Sequence, residues 1–126
     1  MNAVLFRVEL YVSDIERSYC FYKEILGLEL FGRNEKSLRF NYESFSLLIA
    51  SHDLLESNHY LKRERNVGSV GGGVELIVVV PSIEDIYRNC QEKRYPIEVG
   101  IESYEWGMRG FKLVDPDGYF IRVTSK

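Results

Sequence analysis

The sequence predicts an α+β fold built from two related halves, and three observations predict it. Val12-Ser13-Asp14-Ile15-Glu16 can be laid on Val80-Pro81-Ser82-Ile83-Glu84, each preceded by an apolar strand and followed by an amphipathic helical stretch. Short apolar runs separated by turn-prone residues follow the first helix, so the first half reads β-α-β-β-β. A length of 126 residues with 45% hydrophobic content suits a single domain with one core. The half-units run from about 4 to 51 and from 73 to 126, joined by a loop over 52–72.

The elements follow in order. Phe6, Val8, Leu10 and Val12 alternate with Arg7, Glu9 and Tyr11, the period-2 pattern of a strand with unlike faces. The polar face is either plainly solvated or turned toward a ligand-filled concavity. Ser13 and Glu16 form a capping box that starts a helix with Ile15, Tyr19, Tyr22, Ile25 and Leu26 on one side, and Gly27 ends it. Strands are expected over 28–32, 37–42 and 45–51. The 52–72 connection is polar and long enough to be a lid or a linker. It holds both histidines, His52 and His59, for which a surface role is expected.

The second half opens with a strand over 74–80. Ser82 caps a helix over 83–93 that buries Ile83, Ile86, Tyr87 and Cys90, and Pro96 prevents its continuation. A strand over 97–101, a loop with Tyr104-Glu105-Trp106-Gly107, a strand over 110–114, the turn Asp115-Pro116-Asp117-Gly118 and a strand over 119–124 complete the chain.

The bulk chemistry excludes some classes of function. A net charge of -3 argues against nucleic acid or an anionic membrane as the main partner, since such binding is carried by a basic excess. The one basic cluster, Lys62-Arg63-Glu64-Arg65, is short and interrupted, and reads as a solvated face. Cys20 and Cys90 lack metal-type spacing and are expected as buried thiols in a reducing cytoplasm. Glu9 interrupts the apolar N-terminal run, which therefore reads as a strand and not a signal peptide, and no stretch approaches transmembrane length.

Two motifs at this separation, L-Y-V-S-D-I-E-R-S…F-Y…L-G-L and W-G-M-R-G-F…D-P-D-G-Y-x-I, carry a resemblance across nearly the whole chain. The chain resembles the vicinal oxygen chelate superfamily, which includes glyoxalase I, bleomycin- and fosfomycin-resistance proteins, methylmalonyl-CoA epimerase and extradiol dioxygenases. The resemblance implies paired βαβββ units forming a cupped mixed sheet, commonly in a homodimer. It also implies four metal-ligand positions, which fall here on Arg7, Leu48, Glu75 and Arg122. One carboxylate, two guanidiniums and a leucine are not a metal set, because catalytic zinc takes about three protein ligands. No metal or other cofactor is therefore expected at these positions.

If the implied fold holds, Arg7, Glu75 and Arg122 converge on one cavity, with Glu9 beside Arg7 on the same strand face. Such a cluster is either an internal Arg-Glu-Arg network filling the vacated position or an anion site in which an arginine takes a carboxylate or phosphate. Tyr11, Trp106, Arg109, Phe111 and Phe120 are candidates for its walls. The expected function is a cytoplasmic, metal-independent protein binding a small anionic or aromatic molecule, with Arg7, Glu9, Tyr11, Leu48, Trp106, Arg109 and Arg122 as contact residues. The alternative is a lyase- or isomerase-type enzyme, with or without a metal site rebuilt by His52 or His59. There Glu75 acts as general base and an arginine stabilises the developing oxyanion. That reading needs Glu75 not to be locked between both arginines. A third possibility is a partner-binding module with no small ligand.

Overall fold

The structure is a computed structural model, and it describes residues 4–63, 70–105 and 107–126. The chain divides into two compact units, Met1–Asn66 and Val67–Lys126.

The first unit contains β1 (Phe6–Val12), α1 (Ile15–Tyr19), β2 (Leu30–Asn34), β3 (Ser37–Tyr42) and β4 (Phe45–Ser51). Its four strands lie in the order β1-β4-β3-β2, with β1 parallel to β4 and the other pairs antiparallel. The second unit repeats this plan with β5 (Glu75–Val79), α2 (Ile83–Glu92), β6 (Val99–Ser103), β7 (Arg109–Val114) and β8 (Phe120–Thr124), in the order β5-β8-β7-β6. Each unit is thus β-α-β-β-β around a mixed four-stranded sheet, the fold class expected.

The helices form where the repeat places them. Ser82 caps α2 by accepting the Asp85 backbone N–H, as expected, with Lys93 in place as the C-cap. The first helix is capped by Asp14, not Ser13: the Asp14 carboxylate accepts from the N–H groups of Glu16 and Arg17. Both residues are good caps, and a carboxylate one position nearer the helix gains additionally from the helix dipole. Past Tyr19 the helix widens into a π-helical turn over Cys20–Ile25, closed by Leu26 N–H donating to the Phe21 carbonyl. Gly27 then takes φ 74°, the left-handed conformation that a glycine reaches at no steric cost.

One face of each sheet is the core. In the first unit Leu38, Phe40, Leu47 and Ile49 meet Ile15, Phe21, Tyr22, Ile25 and Leu26, with the Tyr22 and Phe40 rings 6.3 Å apart. Ser18 and Phe21 are buried here, whereas Tyr19 lies at the margin with the Arg33 guanidinium 4.8 Å over its ring. In the second unit Phe111, Leu113, Ile121 and Val123 are fully buried on the side of α2, where the Tyr87 ring meets Phe111 edge-on at 5.1 Å. The expected inner line of α2 holds for Ile83, Ile86 and Cys90, while Tyr87 is half-buried. Cys20 corrects the expectation of two buried thiols: it is exposed, and Cys90 is buried.

Each unit also pins its helix to its sheet through an ion pair, the first from the edge strand β2 and the second from the inner strand β7. Glu16 and Glu84 are matching residues of the repeat, and each takes a guanidinium from a strand: Arg33 in the first unit, Arg109 in the second. The 52–72 connection contains short 3₁₀ turns at His52–Leu54, Tyr60–Lys62 and Val70–Gly72. Among the described residues no helix is long and apolar enough to cross a membrane.

Candidate functional site

The face of each sheet away from its helix carries the polar side chains, and strand register decides which ones meet. In the first unit Arg7, Glu9 and Tyr11 lie opposite Ser46, Leu48 and Ala50 of β4. These in turn lie opposite Asn41, Arg39 and Ser37 of β3. In the second unit Glu75 and Ile77 lie opposite Phe120 and Arg122 of β8, and Arg122 lies opposite Lys112 of β7. Arg7 and Glu75 therefore occupy matching places, as do Leu48 and Arg122. The equivalence expected from the sequence is present in the register.

Glu75 and Arg122 come together. The Arg122 guanidinium lies 3.3 Å from the Glu75 carboxylate, with the two side chains 19% and 34% exposed, so water only partly screens the pair. The guanidinium also sits 5.6 Å from the centroid of the Tyr104 ring. Tyr104 is held by a tight turn in which Gly107 N–H donates to the Tyr104 carbonyl and Tyr104 N–H to Met108, with Gly107 at φ 84°. Its ring crosses Gly110, where an added Cβ would stand 3.0 Å from the hydroxyl and 2.5 Å from the Val123 carbonyl oxygen. Only a glycine lets the ring lie there. A glycine inside a strand marks such a close approach, and that was the available signal for Tyr104.

Lys112 completes the row. It faces Arg122 across the β7–β8 pair, and its ammonium is 3.9 Å from the Glu102 carboxylate on β6. The tight turn at Asp115–Gly118 sets this register. The buried Asp115 carboxylate accepts from the N–H groups of Asp117 and Tyr119 at 2.8 and 2.9 Å, with Gly118 at φ 96°. Val114 then pairs with Phe120, and Lys112 with Arg122. Counting outward from Asp-Pro-Asp-Gly would have found Lys112.

Arg7 and Leu48 lie in the first unit, on β1 and β4. Arg7 is exposed and Leu48 half-buried between Glu9 and Arg39. The Tyr11 hydroxyl donates to the Glu9 carboxylate at 2.6 Å. This bond, with partial burial and the negative charge of Glu9, raises the phenol above its ordinary range. The His59 ring lies 6.4 Å from the Tyr11 ring, and its Nδ1 accepts the Leu61 N–H, capping the Tyr60–Lys62 turn.

Two expected wall residues belong elsewhere. Arg109 shares strand parity with Phe111 and lies on the α2 side, where its guanidinium holds Glu84 at 2.7 Å and keeps that carboxylate below its usual range. Phe111 is core. Phe120, in contrast, is half-buried on the Arg122 face. Trp106 lies outside the described residues.

The donor set does not fit a metal. Of the four inherited positions only Glu75 offers a coordinating atom, and Arg122 is its ion-pair partner. Among the described residues no three His, Cys, Asp or Glu side chains gather as they would around an ion.

Two repeated βαβββ units, each with one helix-covered face and one charged face, define a paired-unit α+β class. The model of the Glyoxalase/Bleomycin resistance protein/Dioxygenase superfamily matches residues 4–123, and the chain belongs to that superfamily. Among solved structures it is similar to a lactoylglutathione lyase from Agrobacterium tumefaciens, at 17% identity over 99% of this chain and 95% of that one, with a TM-score of 0.69. It is also similar to a glyoxalase-related enzyme from Fulvimarina pelagi (17%, 97% and 87%, 0.72). A glyoxalase/bleomycin resistance protein/dioxygenase from Nocardioides gives 20%, 99% and 84%, and 0.69. At these identities the likeness is one of fold.

Proposed function

We propose that this chain binds a small anionic or aromatic molecule, without a metal, on the charged faces of its sheets. The observation that carries the reading is the Glu75–Arg122 pair, a guanidinium in the place of an inherited metal ligand, backed by the Tyr104 ring. A guanidinium offers planar, bidentate recognition of a carboxylate or phosphate. Arg7, Glu9, Tyr11 and Leu48 are assigned as contact residues on the corresponding face of the first unit. A homodimer, as the superfamily resemblance suggests, and a cytoplasmic location, as the cysteine usage suggests, form part of the reading.

One observation favours a second reading. A carboxylate beside a guanidinium is also the equipment for proton abstraction next to a carbonyl, with Glu75 taking the proton and Arg122 stabilising the oxyanion. Its weakness is the same 3.3 Å contact, since the base must leave its ion-pair partner to accept a proton.

Thermal melting against divalent metals and against organic acids, thioesters and thiol conjugates tests both readings. A native-state ligand at a hundred times its dissociation constant adds about 2.7 kcal/mol of stability. Stabilisation by organic anions and not by Ni²⁺ or Zn²⁺ is expected. Selective stabilisation by either metal would sink the metal-free reading. For any compound that binds, Glu75→Gln should abolish turnover in an enzyme but leave a binder with most of its affinity.

A further inference from the structure

We infer that the charged face of the second sheet seats a compact carboxylate between Arg122 and Lys112, and that it selects such a monoanion over a dianionic phosphate ester. The inference rests on the ligand-binding reading above and adds both a second cation and a charge preference.

Across β5-β8-β7-β6 the same face carries Glu75, Arg122, Lys112 and Glu102, so the two cations occupy the inner strands and the two carboxylates the edges. Arg122 and Lys112 are direct register partners, which sets their Cβ atoms about 5 Å apart, and like charges directly opposite one another destabilise a sheet. Their side chains are 19% and 28% exposed, so water relieves that repulsion only in part.

The flanking carboxylates relieve it loosely. Their contacts of 3.3 and 3.9 Å exceed the roughly 2.7–2.9 Å of a strong charge-assisted hydrogen bond. Glu102 reaches the row through a β-bulge, since the β6–β7 register shifts between Val99 and Glu102. Without that shift Ile101, not Glu102, would stand opposite Gly110; bulges commonly re-aim a side chain in this way.

The pattern runs negative, positive, positive, negative. A carboxylate offers one oxygen to each inner cation and brings a single charge to the centre of the row. A phosphate ester at pH 8 brings close to two, because its second proton is lost near pH 6, and its further oxygens face Glu75 and Glu102.

Titration calorimetry of the full chain with benzoate and with phenyl phosphate at pH 8 tests this. Benzoate should bind at least tenfold more tightly than phenyl phosphate. Lys112→Met should weaken benzoate by about tenfold, the expectation for a hydrogen bond to a charged group. Arg88→Met, on the solvent side of α2, should leave it unchanged and serves as the charge control. A second variant, Lys112→Gln, guards against a packing artefact and should behave like Lys112→Met. Equal affinity for the two probes, or full benzoate affinity in both Lys112 variants, overturns the inference while the broader reading stands. If neither probe binds, the inference falls, and the organic-acid melting panel decides the broader reading separately.

Discussion

The two units share a backbone plan down to the register, yet their faces have diverged unequally. On the helix side the matching places agree in character: Leu38 and Phe111, Phe40 and Leu113, and Ile49 and Val123 are all fully buried, and Glu16 and Glu84 each hold a strand arginine. On the other side the matching places hold Arg7 and Glu75, Leu48 and Arg122, Glu9 and Ile77, Tyr11 and Val79. Helix-side residues are constrained by close packing, where a misfit of one methylene is felt, whereas exposed-face residues are free of that constraint. A position that differs between matching places is thus a better pointer to chemistry than one that agrees.

The helices themselves break the symmetry most sharply, and thiol chemistry reads it directly. Cys20 is exposed at the start of the π-helical turn, while burial of Cys90 in α2 pushes its thiol up to about 11. Cys90 should react with a thiol reagent roughly a thousandfold more slowly than Cys20, since labelling must await opening of the core. Mass-resolved labelling at pH 8 checks this, and comparable rates would mean that α2 is not firmly packed over Cys90. Because the Cys90 shift is upward, its stabilising contribution is complete below the ordinary thiol range and is lost as pH rises toward about 11.

The strand glycines give the next contrast. Gly110→Ala would drive a Cβ to 2.5 Å from the Val123 carbonyl oxygen and against the Tyr104 ring, whereas Gly32→Ala meets nothing within 4 Å. Denaturant unfolding should show a loss of about 3 kcal/mol for Gly110→Ala and a change within about 0.5 kcal/mol for Gly32→Ala. Equal effects would remove the close packing of Tyr104 from the site.

A double-mutant cycle on Glu75→Gln and Arg122→Met should give a coupling of about 1 kcal/mol, above a fully exposed ion pair and below a buried one. Coupling near zero would mean the two groups do not meet in solution.

The smallest expected effect concerns the helix pins. Because Arg109 lowers the Glu84 carboxyl, the stability that Glu84 adds is present above the ordinary carboxylate range and is lost as pH falls through its lowered value. Glu84→Gln should therefore lower the melting temperature at neutral pH, and the difference from wild type should vanish in acid. A difference that persists in acid would assign Glu84 a packing role and not an electrostatic one.

The sequence by itself determined the two-unit plan. The V-S/P-x-I-E repeat, the period-2 strands, the Ser82 cap and the Asp115–Gly118 turn are local signals whose physics needs no distant partner. They also sufficed to match Arg7 with Glu75 and Leu48 with Arg122, because strand parity and turn geometry carry register along the chain. Tertiary structure decided what parity alone left open. The π-helical turn over Cys20–Ile25 departs from the α-helical period and buries Phe21, Tyr22 and Ile25 together while Cys20 stays exposed. Arg109 lies on the helix side with Glu84, a placement that its strand parity with the buried Phe111 makes legible. Glu102 reaches Lys112 only through a bulge, and Arg122 meets Tyr104 only because Gly110 leaves room for the ring. Such contacts arise where strands already paired bring distant residues within a few ångströms, and no local propensity encodes them.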